Sequence, residues 1–438
     1  MTHAAWLARF DGQLQTDPAE LARYRTDGSA CEGSLPDAVV FPESVEDVLA
    51  AVELGGPLTV RGGGSGRAGG ALARRGGVVL DLTRLDTLEL VTATPQPGGR
   101  APLVHAGAGV RVEALDRLLH SAGYWLPSRP WGPPATATVG GLVASGAAGP
   151  FARRFGDIRA HVAWLRVVTG GGEVVRLGSD AAGGLWPDPL ADWVGSEGRL
   201  GVITDVAIRP QPIPPHRVTI EVPPDSLLDG LVETLAADPA VLGFAWVDAQ
   251  TARLWGASQD LLVLPRTVAV VARRLDDPNT SEGPSLPLTL APPEGEAPQG
   301  LEGPAGLERE ITRVIQERHP GASLSRVCPR PAAGGLDALV FEARRALGKH
   351  RMSLYAVGDP YGTVHLIAPV PHGDVQAWAV ADDVLEDAVA SCVDGGGLAC
   401  GAFGVGVAGE RFQRRQHGLG LEVLQRRRVA WDPRGLFR

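Results

Sequence analysis

The chain is almost without lysine and asparagine: of 41 basic residues only Lys349 is a lysine, and Asn279 is the single asparagine. Cysteine is scarce, with Cys31, Cys328, Cys392 and Cys400 the only four in 438 residues and no two of them in a CxxC pair. That argues against a disulfide framework, a paired-thiolate zinc site or a cysteine-held iron–sulfur cluster. Long apolar runs are missing too. The best, residues 261–272, is interrupted by Pro265 and Arg266, well short of the roughly 18 residues of a bilayer span. The first twenty residues carry His3, Arg9, Asp11 and Asp17 without the apolar stretch of a secretory signal, so the expected location is cytoplasmic. A net charge of −9 argues against a nucleic-acid surface that tracks phosphates, and no nucleic-acid partner is expected.

What the chain has in excess is small and turn-forming residues: 58 Gly and 36 Pro. With nearly all basic residues arginine, this reads as a compositional bias, so a lone glycine motif carries little information here. With 44% hydrophobic and 21% charged residues the chain can bury a core, and its length predicts two or three domains.

Residues 4–27 read as one or two short helices, with Asp17 and Pro18 starting the second. Val45, Val48, Leu49 and Val52 give a helical period behind Ser44 as N-cap. Strands are expected at 58–61, 78–82 and 103–106, then a helix over 110–122 ended by Gly123. Residues 162–169 and 173–177 flank three glycines as a hairpin, and 201–209 alternate as a further strand, closed by the proline-rich 210–215. That cluster marks a domain boundary. Strand and helix signals alternate over 218–274. The Pro/Gly/Glu-rich stretch 276–306 reads as an insertion, and helices are expected at 307–318, 336–347, 374–390 and 410–429. The fold class is α+β.

Between two of those strands lies Arg61-Gly62-Gly63-Gly64-Ser65-Gly66-Arg67-Ala68-Gly69-Gly70, and residues 64–69 match GxGxxG. A dinucleotide fingerprint needs its third glycine to open a crossover helix. Here the next strand follows almost at once, so that reading fails; Walker A fails for want of Gly-Lys-Ser/Thr. What survives is a nest of backbone N–H groups able to bind a pyrophosphate, or an ordinary turn. A second stretch, residues 131–149 (WGPPATATVGGLVASGAAG), is small throughout and lets backbone lie against a flat ligand. A third, residues 194–204 (VGSEGRLGVIT), is a turn running into a strand.

In this order and spacing, the three stretches resemble the PCMH-type FAD-binding domain of the vanillyl-alcohol-oxidase-type flavoproteins, and within them the glycolate oxidase and D-lactate dehydrogenase branch. The likeness covers about residues 36–212, and the ending RRRVAWDPRGLF resembles the closing helix and turn of the same family. It implies an N-terminal helical segment (1–35), an FAD domain of two subdomains (36–213), an α+β substrate or cap domain (214–425, with the 276–306 insertion) and a C-terminal segment (426–438) packing back on the FAD domain. It also implies that Arg61, Gly62, Gly63, Gly64, Ser65, Gly66, Gly70 and Ala71 surround the pyrophosphate. Thr138, Gly140, Gly141, Ser145 and Gly149 would follow the flavin, with Val202 near the adenine. The loop 61–70 has no histidine, where some relatives attach flavin covalently, so noncovalent FAD is expected.

For such relatives the implied reaction is oxidation of a small 2-hydroxy acid, glycolate- or D-lactate-like, by hydride transfer to flavin N5. Metal-dependent members carry two histidine-bearing segments. In this chain Ala356 stands at the first histidine position, before Gly358 and Asp359, while His365 closes the segment; Ala402 and Phe403 stand where Glu and His are expected. No metal site is therefore expected. His365 is a candidate base or a packed strand histidine, Asp359 a candidate catalytic residue or a turn former, and Arg326 and Arg330 candidate carboxylate binders. Two functions stay open: a self-sufficient oxidoreductase, or an FAD-holding subunit working beside an iron–sulfur protein or second flavoprotein.

Overall fold

The computed structural model describes residues 3–91, 102–128, 135–180, 188–213, 217–221, 228–239, 241–258, 268–273, 302–400 and 405–437. Its first sheet orders Leu14–Gln15, Ala38–Val40, Val78–Asp81 and Leu58–Arg61, the last three strands parallel. The helix Val45–Leu54 makes the crossover between two of them. Ser44 accepts a hydrogen bond from the Asp47 amide at 3.1 Å to cap it, and Val48, Ala51 and Val52 face the sheet. Parallel strands joined this way leave their C-terminal ends, and the loops beyond them, on one rim, where ligands are commonly bound.

The second sheet is antiparallel: Leu88–Val91, Leu103–Gly107, Gly201–Ile208, Val162–Thr169 and Val174–Gly178 in that order. Its inner face packs the helices Val112–Ser121 and Val139–Ser145 in one core. Val168 and Val202 instead point to the core of the first sheet, joining the two subdomains. The chain end returns here: the Leu58 amide donates to the Leu436 carbonyl at 2.8 Å, and Phe437 is fully buried among the first-sheet residues.

A six-stranded antiparallel sheet follows, ordered Arg217–Glu221, Val268–Arg273, Val241–Val247, Tyr355–Gly358, Val364–Pro371 and Ala322–Val327. The helices Leu228–Ala237, Leu336–Lys349 and Val375–Asp394 cover one face, and Glu302–Arg318 the other. The architecture is α+β.

Two expected elements need correction. The helix expected at 307–318 starts at Glu302, so the end of the 276–306 stretch is helical; residues 276–301 lie outside the described residues. The helix expected over 410–429 is broken into Glu410–Phe412 (3-10), Gln413–His417 and Gly420–Trp431. Gly418 has φ 53°, a left-handed conformation that a continuous helix excludes. No helix among the described residues is long and apolar enough to cross a membrane.

Candidate FAD-binding cleft

Three segments converge on one cleft. The first is the loop after Leu58–Arg61. Gly62, Gly63, Gly64, Ser65, Gly66, Gly70 and Ala71 line it, together with Ala68. Side chains are excluded on the packed side of this loop. A Cβ at Gly63 would fall on the Thr136 carbonyl oxygen, and one at Gly62 on the Thr138 hydroxyl. Gly64 has φ 63° and its carbonyl accepts from the Gly28 amide at 2.9 Å. At Gly66 and Gly70, by contrast, an added Cβ would meet nothing within 4 Å. The loop is thus held rigidly behind and left open in front, a backbone cradle of the kind a pyrophosphate requires.

The second segment is the helix Val139–Ser145. Thr138 caps it by accepting from the Gly141 amide at 3.2 Å, and Gly146 ends it at φ 63°. Thr138, Gly140, Gly141 and Ser145 line the cleft with Ala137, Leu142, Ala144, Ala147 and Ala148. Gly140 is required because a Cβ there would come within 2.6 Å of the Ala108 Cβ. The third segment contributes Glu197, Gly198, Gly201 and Ile203.

Three residues expected at the cofactor do not line the cleft. Val202 lies between two that do. Successive strand residues face opposite sides, so Gly201 and Ile203 face the cleft while Val202 is buried in the first-sheet core. Gly149 sits one residue past the last lining position, its carbonyl accepting from the Ala152 amide. Arg61 turns behind the loop, where its guanidinium lies 5.2 Å from the Tyr24 ring centre and Nη1 donates to the Ala71 carbonyl at 3.4 Å. Burial pulls its pKa down, against the opposing effect of Asp27 and Asp81.

Glu197 lines the cleft although no local signal in the sequence marks it. It is the only charged side chain among the described residues lining the cleft, and it adopts φ 54°. Burial raises its pKa, with Arg199 opposing.

Neither candidate catalytic residue lines the cleft. His365 is fully buried on Val364–Pro371, opposite Val357. Asp359, also fully buried, closes the turn between the two strands, its Oδ1 accepting from the Tyr361 and Thr363 amides at 2.9 and 3.0 Å. Burial pushes its pKa up to about 7 despite those bonds. Ala356 is buried in the same sheet, and Ala402 and Phe403 lie outside the described residues. Arg326 donates to the Thr312 hydroxyl at 3.1 Å. Arg330, in contrast, lies at the seam with the FAD domain, 5.4 Å from the ring centre of Tyr361. The Tyr361 hydroxyl donates to the Ala152 carbonyl at 2.9 Å, and Arg153 reaches the Pro360 carbonyl at 3.5 Å.

A family model described as an FAD binding domain matches residues 36–178, which contain two of the three segments. This part of the chain is an FAD-binding domain. The cleft fits that cofactor, with glycine backbone at one end and a wall of small residues beside it. Among curated relatives, D-2-hydroxyglutarate dehydrogenase of Xanthomonas citri pv. viticola is 31% identical over 52% of this chain and 48% of its own length. The mitochondrial cytochrome-linked D-lactate dehydrogenase of Arabidopsis thaliana is 34% identical over 42% and 32%. Glycolate oxidase subunit GlcD of Escherichia coli is 34% identical over 46% and 40%. The chain therefore spans about half the length, or less, of these relatives. Among solved structures, 4-ethylphenol oxidase from Gulosibacter chungangensis superposes with a TM-score of 0.74 at 15% identity, over 99% of this chain and 95% of the other. Alkyldihydroxyacetonephosphate synthase gives 0.70 at 16%, over 100% and 84%. These likenesses establish the fold.

Proposed function

We propose that the chain is an FAD-dependent oxidoreductase that oxidises a small 2-hydroxy acid at its CH–OH carbon, with FAD held noncovalently and no divalent metal. The observation that carries this reading is the glycine-walled cleft in a chain about a third identical, over its FAD-binding half, to proteins named for D-2-hydroxyglutarate, D-lactate and glycolate. When bound, FAD accepts the hydride from the substrate carbon.

The chain's own part is to bind and orient the acid. Arg153 and Arg330 both lie near Tyr361, whose hydroxyl is bonded to Ala152, four residues past the lining residue Ala148. Two guanidiniums converging there suit a carboxylate, which arginine binds bidentately. The phenol of Tyr361 supplies a further polar group. His365 and Asp359 lie behind this seam: Asp359 fixes the turn that presents Tyr361, and the Trp246 indole N–H steadies it by donating to the Asp359 carbonyl at 3.3 Å.

The test is anaerobic addition of D-2-hydroxyglutarate, D-lactate and glycolate in turn to the FAD-loaded protein. Bleaching of the flavin by one of them supports the reading, and R330A is then expected to raise KM for that acid at least about tenfold. The competing function, a partner-dependent FAD-holding subunit, draws support from the relative named as a subunit. It gains if flavin is bound and no 2-hydroxy acid reduces it without an added iron–sulfur or flavoprotein partner.

A further inference from the structure

The residues around Glu197 tie the cleft to a distant part of the chain. Its backbone amide donates to the Ala144 carbonyl at 2.8 Å, anchoring it to the helix that walls the cleft. Its carboxylate, 8% exposed, accepts from the Gly406 amide through Oε1 and Oε2 at 3.0 and 2.9 Å. Arg199 pairs with Oε2 at 3.3 Å and also reaches the Gly406 carbonyl at 3.4 Å. On the other side of the cleft the Ala408 amide donates to the carbonyl of Ala68, a lining residue of the glycine loop. Glu410 pairs with Arg74 just beyond that loop. Gly406, at φ 48°, lies so close to Ala68 that a Cβ would strike the Ala68 carbonyl. Residues 405–410 therefore bridge two of the cleft's three walls, and Glu197 is the clasp.

The electrostatics give this contact a consequence. A cleft that takes a pyrophosphate carries, as its one lining charge among the described residues, a buried carboxylate. Like charges in a low-dielectric site repel strongly. Arg199 and the Gly406 N–H offset that charge, so what the clasp contributes to FAD binding is the support that residues 405–410 give the glycine loop through Ala68. A left-handed glutamate is costly and persists where its surroundings over-determine it.

We propose that Glu197 is a positioning residue that couples FAD occupancy of the cleft to the seating of residues 405–410. The inference rests on FAD being the occupant. By linkage the coupling is reciprocal: a seated segment raises FAD affinity, and bound FAD protects the segment.

The experiment measures FAD affinity by flavin fluorescence and amide hydrogen exchange at Gly406 and Ala408, with and without FAD. In the wild type, FAD is expected to slow exchange at both amides. E197A is expected to weaken FAD binding about tenfold or more and to abolish the FAD-dependent slowing. E197Q, which keeps an acceptor for Gly406, should stay within about threefold of wild type. G406A unseats the segment with Glu197 intact and is expected to weaken FAD as E197A does, which covers the case in which E197A fails to fold. Exchange at 406 and 408 indifferent to FAD overturns the coupling while leaving FAD binding standing. So does wild-type affinity in both alanine variants, or an E197A that loses stability yet keeps the FAD-dependent slowing. A wild type that binds no FAD overturns the assignment of the cleft itself.

Discussion

Asp359 should set a pH dependence of stability with an unusual sign. Burial raises its folded pKa from 3.8 to about 7, so between those values the native state holds a proton that the unfolded chain has released. Stability then falls as pH rises through this window, by about 1.4 kcal/mol per unit and about 4 kcal/mol in all. Below pH 4 the contribution is fully present, and above pH 7 it is gone. Asn at this position mimics the protonated acid. Its oxygen still accepts from the Tyr361 and Thr363 amides, while its NH₂ takes the place of Oδ2, a buried atom with no hydrogen-bond partner among the described residues. A buried unpaired donor costs about 1–3 kcal/mol, so at pH 8 Asp359→Asn should be about 1–3 kcal/mol more stable than wild type. At pH 5 it should be equal or weaker. The assay is urea unfolding of the FAD-saturated protein at pH 5, 6, 7 and 8, followed by tryptophan fluorescence. The difference between the two proteins isolates Asp359 from the other carboxylates. Parallel profiles, with no change in the gap from pH 5 to 8, would mean that Asp359 does not take up a proton on folding.

Three further outcomes follow from the site and its supports. Gly63→Ala drives a methyl onto the Thr136 carbonyl and is expected to reduce FAD affinity at least about tenfold by fluorescence titration, with the far-UV spectrum unchanged. Thr138→Ala removes the cap on Val139–Ser145 and should lower unfolding free energy by about 1 kcal/mol. Asp432, 3% exposed, accepts from the Leu436 and Phe437 amides at 3.0 Å each. Asp432→Ala leaves both buried donors without that acceptor and should cost about 3 kcal/mol in the same assay.

Local signals in the sequence carried much of the cleft. The glycine loop, the small-residue stretch before and through Val139–Ser145, and the strand closing the domain were visible because each must keep side chains out of the same space. Thr138 was visible as a hydroxyl before a small-residue run. What escaped was set by facing and by distance along the chain. Val202 and its neighbours Gly201 and Ile203 are all apolar or small, so the alternation that turns Val202 away left no mark in their chemistry. Glu197 stands 209 residues from Gly406, and nothing local announces that pairing. The break at Gly418 was hidden by helix-favouring residues on both sides, in a chain where glycine is too common to read as a stop. The strand order of the six-stranded sheet, which places the Asp359–Tyr361 turn against Ala152, depends wholly on long-range pairing.

The most direct measurement is the absorbance spectrum of the purified protein, incubated with FAD, passed through gel filtration and then precipitated with acid. Flavin bands should co-elute with the protein and FAD should be released intact into the acid supernatant, since no histidine in the loop 61–70 is present to attach it. A protein peak without flavin contradicts the assignment of the cleft, and flavin retained in the pellet contradicts the noncovalent binding.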